Sequence, residues 1–207
     1  MPLQNRVDPW GNLIVADARG AWLGNRGKLH DENKEIVALW KHKQWKVCQL
    51  AYKGRKRQIF SPDSYSELFF LDEATAFSAG HRPCAECRRE RYLEFKEAWR
   101  RTNGAGLPEI AIAQIDEQLH KERVVPGGKK ASHLMEFRDL PSGAFIERDN
   151  EAYLYWQMQL RKWSPSGYTE VGALPQPSQV VKVLTPFSIV KMYKNGFAPQ
   201  VHESASG

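Results

Sequence analysis

The residues best suited to chemistry are Cys84 and Cys87, two thiols separated by two residues and preceded by Pro83. Thiolates at this spacing can share one tetrahedral metal ion, and the unpaired N–H groups of a following helix stabilise their charge. The spacing also suits a redox pair, but no thioredoxin-like strand–helix–strand pattern surrounds it. Zinc takes four ligands, so two more are needed. Cys48 is the remaining cysteine of three. It falls within residues 45–52, whose alternation predicts a strand. Facing the pair, it would be a third ligand. For the fourth position His81 is the first candidate, because it extends the pattern to His81-x-x-Cys84-x-x-Cys87. His30 and His42 are the others.

A second arrangement uses the same cysteines. Zinc nucleobase deaminases place His-x-Glu on one helix and Pro-Cys-x-x-Cys on a later one, with the Glu shuttling protons. Here His30-Asp31-Glu32 precedes Pro83-Cys84-Ala85-Glu86-Cys87 in that order. Glu32 would be the proton shuttle of that arrangement, and Cys48 is the other candidate catalytic residue. The separation from His30 to Cys84 is long for such an enzyme, and His120-Lys121-Glu122 repeats the first half. Asp116 and His120, four apart on a predicted helix, form a further candidate acid–base pair. No Gly-x-Ser-x-Gly, P-loop or Gly-x-Gly-x-x-Gly sequence occurs.

Charge points to a partner. The 207-residue chain carries 30 Lys+Arg against 24 Asp+Glu, a net of +6. All of the excess lies in residues 1–103, which hold 19 basic and 13 acidic side chains, whereas residues 104–207 hold 11 of each. A basic half beside a neutral one suits an anionic partner, most commonly nucleic acid. Lys53, Arg55, Lys56, Arg57, Arg88 and Arg89 are the candidate phosphate contacts. Trp22, Trp40, Trp45, Tyr52 and Tyr65 lie among the basic residues, an interleaving that suits base stacking. With 42% apolar and 11% aromatic residues, the chain is not disordered as a whole. No run of 18 apolar residues is present, so no membrane helix is expected. The first residues lack a signal-peptide pattern, and a cytoplasmic protein with reduced thiols is the expectation.

The elements that must position these residues can be read from periodicity and turn chemistry. Residues 1–28, rich in Gly, Asn and Asp, predict short extended pieces. Ile36, Val37, Leu39 and Trp40 predict a helix over 30–43. Residues 45–52 and 57–60 predict a hairpin around Gly54. A short apolar run at 68–71 leads to a short helix at 72–77 that ends at Ala79-Gly80. Tyr92, Phe95 and Trp99 mark the inner face of a helix over 85–101. The stop at 103–106 coincides with the change in charge and is the expected domain boundary. A helix over 108–123 with Pro108 in its first turn follows. The rest reads mostly as strand, at 143–148, 152–157 and 179–184, with a short helix at 186–193.

Residues 73–88, Glu-Ala-Thr-Ala-Phe-Ser-Ala-Gly-His-Arg-Pro-Cys-Ala-Glu-Cys-Arg, resemble the second half of the zinc-binding domain of the Ada DNA-repair proteins. In that family four cysteines hold one zinc, and one of them accepts a methyl group from a DNA phosphotriester. Cys84 and Cys87 match the second cysteine pair, and the likeness extends to Cys48. The first pair is incomplete, since Gln44 and Tyr52 stand four positions on either side of Cys48. One ligand is therefore replaced, or one metal position is open.

The resemblance implies zinc binding and a role beside DNA, more than RNA. The expected fold is α+β. A zinc-centred N-terminal module over 1–103, with a hairpin and helices, is followed by a β-rich module over 104–207. Two alternatives stand beside this reading. One is a zinc-dependent deaminase or hydrolase with an open metal position. The other is an interaction module without metal.

Overall fold

The fold is α+β and is organised around two sheets. The structure, a computed structural model, describes residues 1–54 and 58–206. The first sheet contains β1 (Gln4–Val7), β2 (Leu13–Val15), β3 (Trp22–Asn25), β4 (Lys46–Cys48), β5 (Leu68–Phe70) and β6 (Arg82–Pro83), in the order β2-β1-β5-β3-β4-β6. The extended pieces expected of residues 1–28 are its first three strands. Asp8 shapes the β1–β2 turn by accepting from Asn12 N at 2.8 Å, and Gly11 takes φ +92° there.

Two expected elements are replaced in this region. Residues 30–43 form no helix. The Asp31 carboxylate accepts from the N–H groups of Asn33 and Glu35 at 2.9 and 3.0 Å, and His30 bridges to Ile36. A local side-chain cap of this kind competes with helix, and the apolar stripe has no shared face to bury, since Val37 is 64% exposed. Among the described residues no hairpin forms around Gly54, and residues 55–57 of the expected turn lie outside them. β4 pairs with β3, Leu23 opposite Cys48, and runs parallel to β6, while residues 58–60 lie outside the strands.

The second sheet contains β7 (His133–Glu136), β8 (Phe145–Arg148), β9 (Glu151–Trp156), β10 (Gln159–Ser164), β11 (Gly167–Gly172) and β12 (Val180–Val183), in the order β11-β10-β9-β8-β12-β7. Asp149-Asn150 and Gln157-Met158 join β8 to β9 and β9 to β10, with φ between 48° and 64° at all four residues. Two-residue turns of this hand match the twist of paired strands.

Among the described residues there are four α-helices: α1 (Glu73–Ser78), α2 (Arg89–Asn103), α3 (Ile112–Arg123) and α4 (Phe187–Lys194). Tyr92, Phe95 and Trp99 of α2 are buried, as their spacing predicts. Helix α3 starts four residues after Pro108, where Gln114 Oε1 accepts from Ala111 N at 3.0 Å. Phe77, Phe95 and Trp99 pack with Ile115, Leu119, Ile146, Val183 and Ile189 in one core, which therefore runs across residue 103. Residues 200–202 return to the start of α1. Gln200 N donates to Glu73 Oε2 at 2.9 Å, and His202 N donates to Asp72 Oδ2 at 3.0 Å. Among the described residues no helix is long and apolar enough to cross a membrane.

Candidate metal centre

The three cysteines arrive from two adjacent strands. Cys48 ends β4, and β6 lies parallel beside it with Val47 opposite Pro83. Cys84 follows β6 directly, and its N–H donates to Val47 O at 2.9 Å. The chain then turns through Ala85 and Glu86, and Arg88 N donates to Cys84 O at 3.2 Å before α2 begins. This tight turn returns Cys87 to the same place. The three sulfurs all lie within 4.8 Å of one another.

Burial and mutual hydrogen bonding shift the three thiols in different directions, Cys84 down and Cys48 and Cys87 up. Cys48 and Cys87 donate their S–H groups to Cys84, and the N–H groups of Cys87 and Glu86 add to this, so the Cys84 thiol falls far below its usual range. The same contacts, with burial, push the Cys48 thiol up. Gln49 N donates to Cys87 Sγ at 3.4 Å. A soft metal ion takes thiolates as ligands, so binding one here would release the thiol protons. Zinc–sulfur bonds of about 2.3 Å place tetrahedral sulfurs about 3.8 Å apart, which this cluster can accommodate.

Among the described residues, no histidine or carboxylate joins the sulfur group. His81 is fully buried elsewhere, its Nε2 accepting from Arg26 Nε at 3.1 Å and its ring packed against Trp45 and Phe70. Burial, with Arg26 and Arg123 nearby, holds it neutral, well below the usual histidine range. The reason for this placement is the local extended backbone. Residues three apart in an extended segment point to opposite faces, so His81 and Cys84 diverge across β6. His30 is also engaged elsewhere, with Nδ1 2.6 Å from Ser66 Oγ and the ring stacked on Phe60. Glu32 is exposed in the following turn. The structure does not bring these two to the sulfurs. No family model, curated protein or solved structure matches the chain.

A cleft of about 420 Å³ lies beside Cys87, lined by Trp22, Gln49, Glu86 and Arg89 among others. Arg88 also borders it but is buried. Its guanidinium lies 3.8 Å over Trp22, and Nη2 donates to Glu73 Oε1 at 2.7 Å and to Gln200 Oε1 at 3.1 Å. Arg89 and Lys53 are exposed. Arg55, Lys56 and Arg57 lie outside the described residues.

Sequence reasoning missed the pair that holds β6 in place. Arg82 Nε and Nη2 donate to the two oxygens of Asp116 at 2.7 and 2.8 Å, with both side chains 4% exposed. The Asp116–His120 pair is therefore not formed, and His120 Nδ1 sits 3.2 Å from Arg123 Nη2. The available signal was an arginine beside Pro-Cys, in a segment too apolar to leave it exposed.

Proposed function

We propose that this chain is a zinc protein that binds nucleic acid, DNA in particular, with Cys48, Cys84 and Cys87 as the metal's thiolate ligands. The observation that carries the reading is the convergence of Cys48 on Cys84 and Cys87 from a separate strand. Three sulfurs match three of the four thiolates of the Ada-type site. Bound zinc would supply folding free energy and a Lewis-acidic centre. The chain's own groups do the rest. The N–H groups of Gln49, Glu86 and Cys87 offset thiolate charge. Arg89 and Lys53, exposed near the cleft and on the loop after β4, supply positive charge for phosphates.

The test is metal analysis of protein purified without added metal, together with single Cys→Ser changes at 48, 84 and 87. The expected result is about one zinc per chain, lost in each variant. DNA affinity should fall between about 50 and 200 mM salt, and Arg89→Ala should lower the slope of log affinity against log salt by about one. Absence of zinc, with the chain still fully folded, favours a metal-free interaction module.

The three-residue ligand set favours a second reading, a zinc-dependent enzyme whose fourth metal position faces the cleft. Structural zinc sites are closed by four protein ligands, whereas catalytic ones use three. In cobalt-substituted protein, added imidazole or a small thiol would shift the visible bands if that position is accessible. An unchanged spectrum argues for a closed centre.

A further inference from the structure

Away from the cysteines, three cations are gathered around a small chamber. Arg26 is 1% exposed, Arg123 is 1% exposed, and Lys130 is partly buried beside them. Trp45, itself 2% exposed, packs against both guanidinium groups, each 3.9 Å from its ring centroid. Arg26 Nε and Nη1 donate to His81 and to Gly11 O, and Arg123 Nη1 and Nη2 donate to Gly80 O and Lys43 O. Among the described residues, Arg26 Nη2 and Arg123 Nε have no partner. Both residues line a chamber of about 40 Å³, with Lys130, Trp10, Trp40 and Trp45.

The local charge does not balance. Asp8 is the carboxylate that acts on Arg26 and on Lys130. Asp116 acts on Arg123, but Arg82 engages both of its oxygens. His81 and His120 are held towards the neutral form by burial and by these same cations. Buried cations without counter-charge are costly, and a bound anion removes that cost.

We propose that Arg26, Arg123 and Lys130 form a receptor for a single phosphate group. The size argues for a compact anion. At roughly 10–15 Å³ per water-sized group, the chamber takes about three oxygens, which suits the terminal oxygens of a phosphate monoester with its fourth oxygen at the mouth. The chamber borders the surface at Leu39, which is 47% exposed. The phosphate can come from a free ion or from the 5′ end of a nucleic acid. None of the three cations belongs to the sulfur group, so this proposal stands or falls apart from the zinc reading.

The test is calorimetric titration of the full chain with inorganic phosphate in a chloride buffer of matched ionic strength. Parallel titrations use an oligonucleotide with and without a 5′-phosphate. Binding of phosphate alone identifies a free-ion site, and a preference for the phosphorylated end identifies a nucleic-acid terminus. Lys130→Gln should weaken either binding at least tenfold, the low end for loss of a charged hydrogen bond. A measurement that needs no variant follows acetylation of Lys130 by mass spectrometry, which phosphate should slow relative to exposed lysines. The proposal is overturned if neither phosphate nor the phosphorylated end is preferred over chloride. Equal affinity in Lys130→Gln, or unchanged acetylation, also overturns it.

Discussion

Replacing Asp116 by Asn removes one charge from a buried pair and leaves its shape almost unchanged. Arg82 then keeps its positive charge, 4% exposed, opposite a neutral amide. Breaking a buried pair from one side costs about 3–5 kcal/mol, because the surviving charge is left uncompensated. Asn retains one acceptor oxygen, so the lower end applies, about 3 kcal/mol. That is a large share of the roughly 5–15 kcal/mol by which domains are stable. At a urea slope of about 1–3 kcal/mol per molar, the midpoint should fall by about 1–3 M with the slope unchanged. The same variant tests the link to the cysteines. Arg82 sits in β6 two residues before Cys84, so zinc should also be lost at lower chelator concentration. A double change, Arg82→Met with Asp116→Leu, should recover most of the stability, since apolar replacement of both partners is often neutral or better. A midpoint shift for Asp116→Asn below about 0.3 M, or no recovery in the double variant, would refute the reasoning.

Cys48→Ser, Cys84→Ser and Cys87→Ser should each lose the zinc and lower the melting temperature, since the three sulfurs form one group; titration with a metal indicator checks all three. Gly80→Ala should cost on the order of 2 kcal/mol by denaturant titration, because Gly80 has φ +83° and an added Cβ would lie 2.5 Å from Arg123 Cδ. Burial lowers the Lys130 ammonium from the ordinary lysine value of 10.5 to about 7, against the opposing pull of Asp8. Above that value the folded state binds fewer protons than the unfolded one, so stability should rise with pH from about 7 toward 9.5. Urea midpoints across that range should show a flatter dependence in Lys130→Met, and an identical slope in both proteins would contradict the assignment.

The α+β class, α1, the inner face of α2 and strands β8, β9 and β12 were legible because each rests on local signals, whereas β7, β10 and β11 were not read. Asp72 caps α1 through Thr75 N at 2.8 Å, and the apolar spacing of Tyr92, Phe95 and Trp99 is a helical period. Asp149-Asn150 is a turn dipeptide, but Gln157-Met158 is not, so the β9–β10 hairpin carried no cue in its turn. The false helix over 30–43 had the right period but lacked a partner surface. The cysteine cluster was readable from residue type and spacing, and its fourth position was not. His81 stands at helical spacing from Cys84, while the backbone between them is extended, so the two side chains part. The burial of Arg88 was equally hidden, because its partners Glu73 and Gln200 lie 15 and 112 positions away, and no local signal joins them.

The return of residues 200–202 to Asp72 and Glu73 sets an order of events during synthesis. These hydrogen bonds span 127 and 130 positions of sequence. Until the later residues have left the ribosome, two carboxylates at the start of α1 lack their final donors, and Arg88 lacks Gln200. The cysteine turn, which Arg88 immediately follows, can form earlier from β4 and β6, but its surroundings close last. At roughly 5–20 residues per second, that delay amounts to about 6–26 s for a nascent chain. During that interval the buried charges beside the cysteine turn are still open to water.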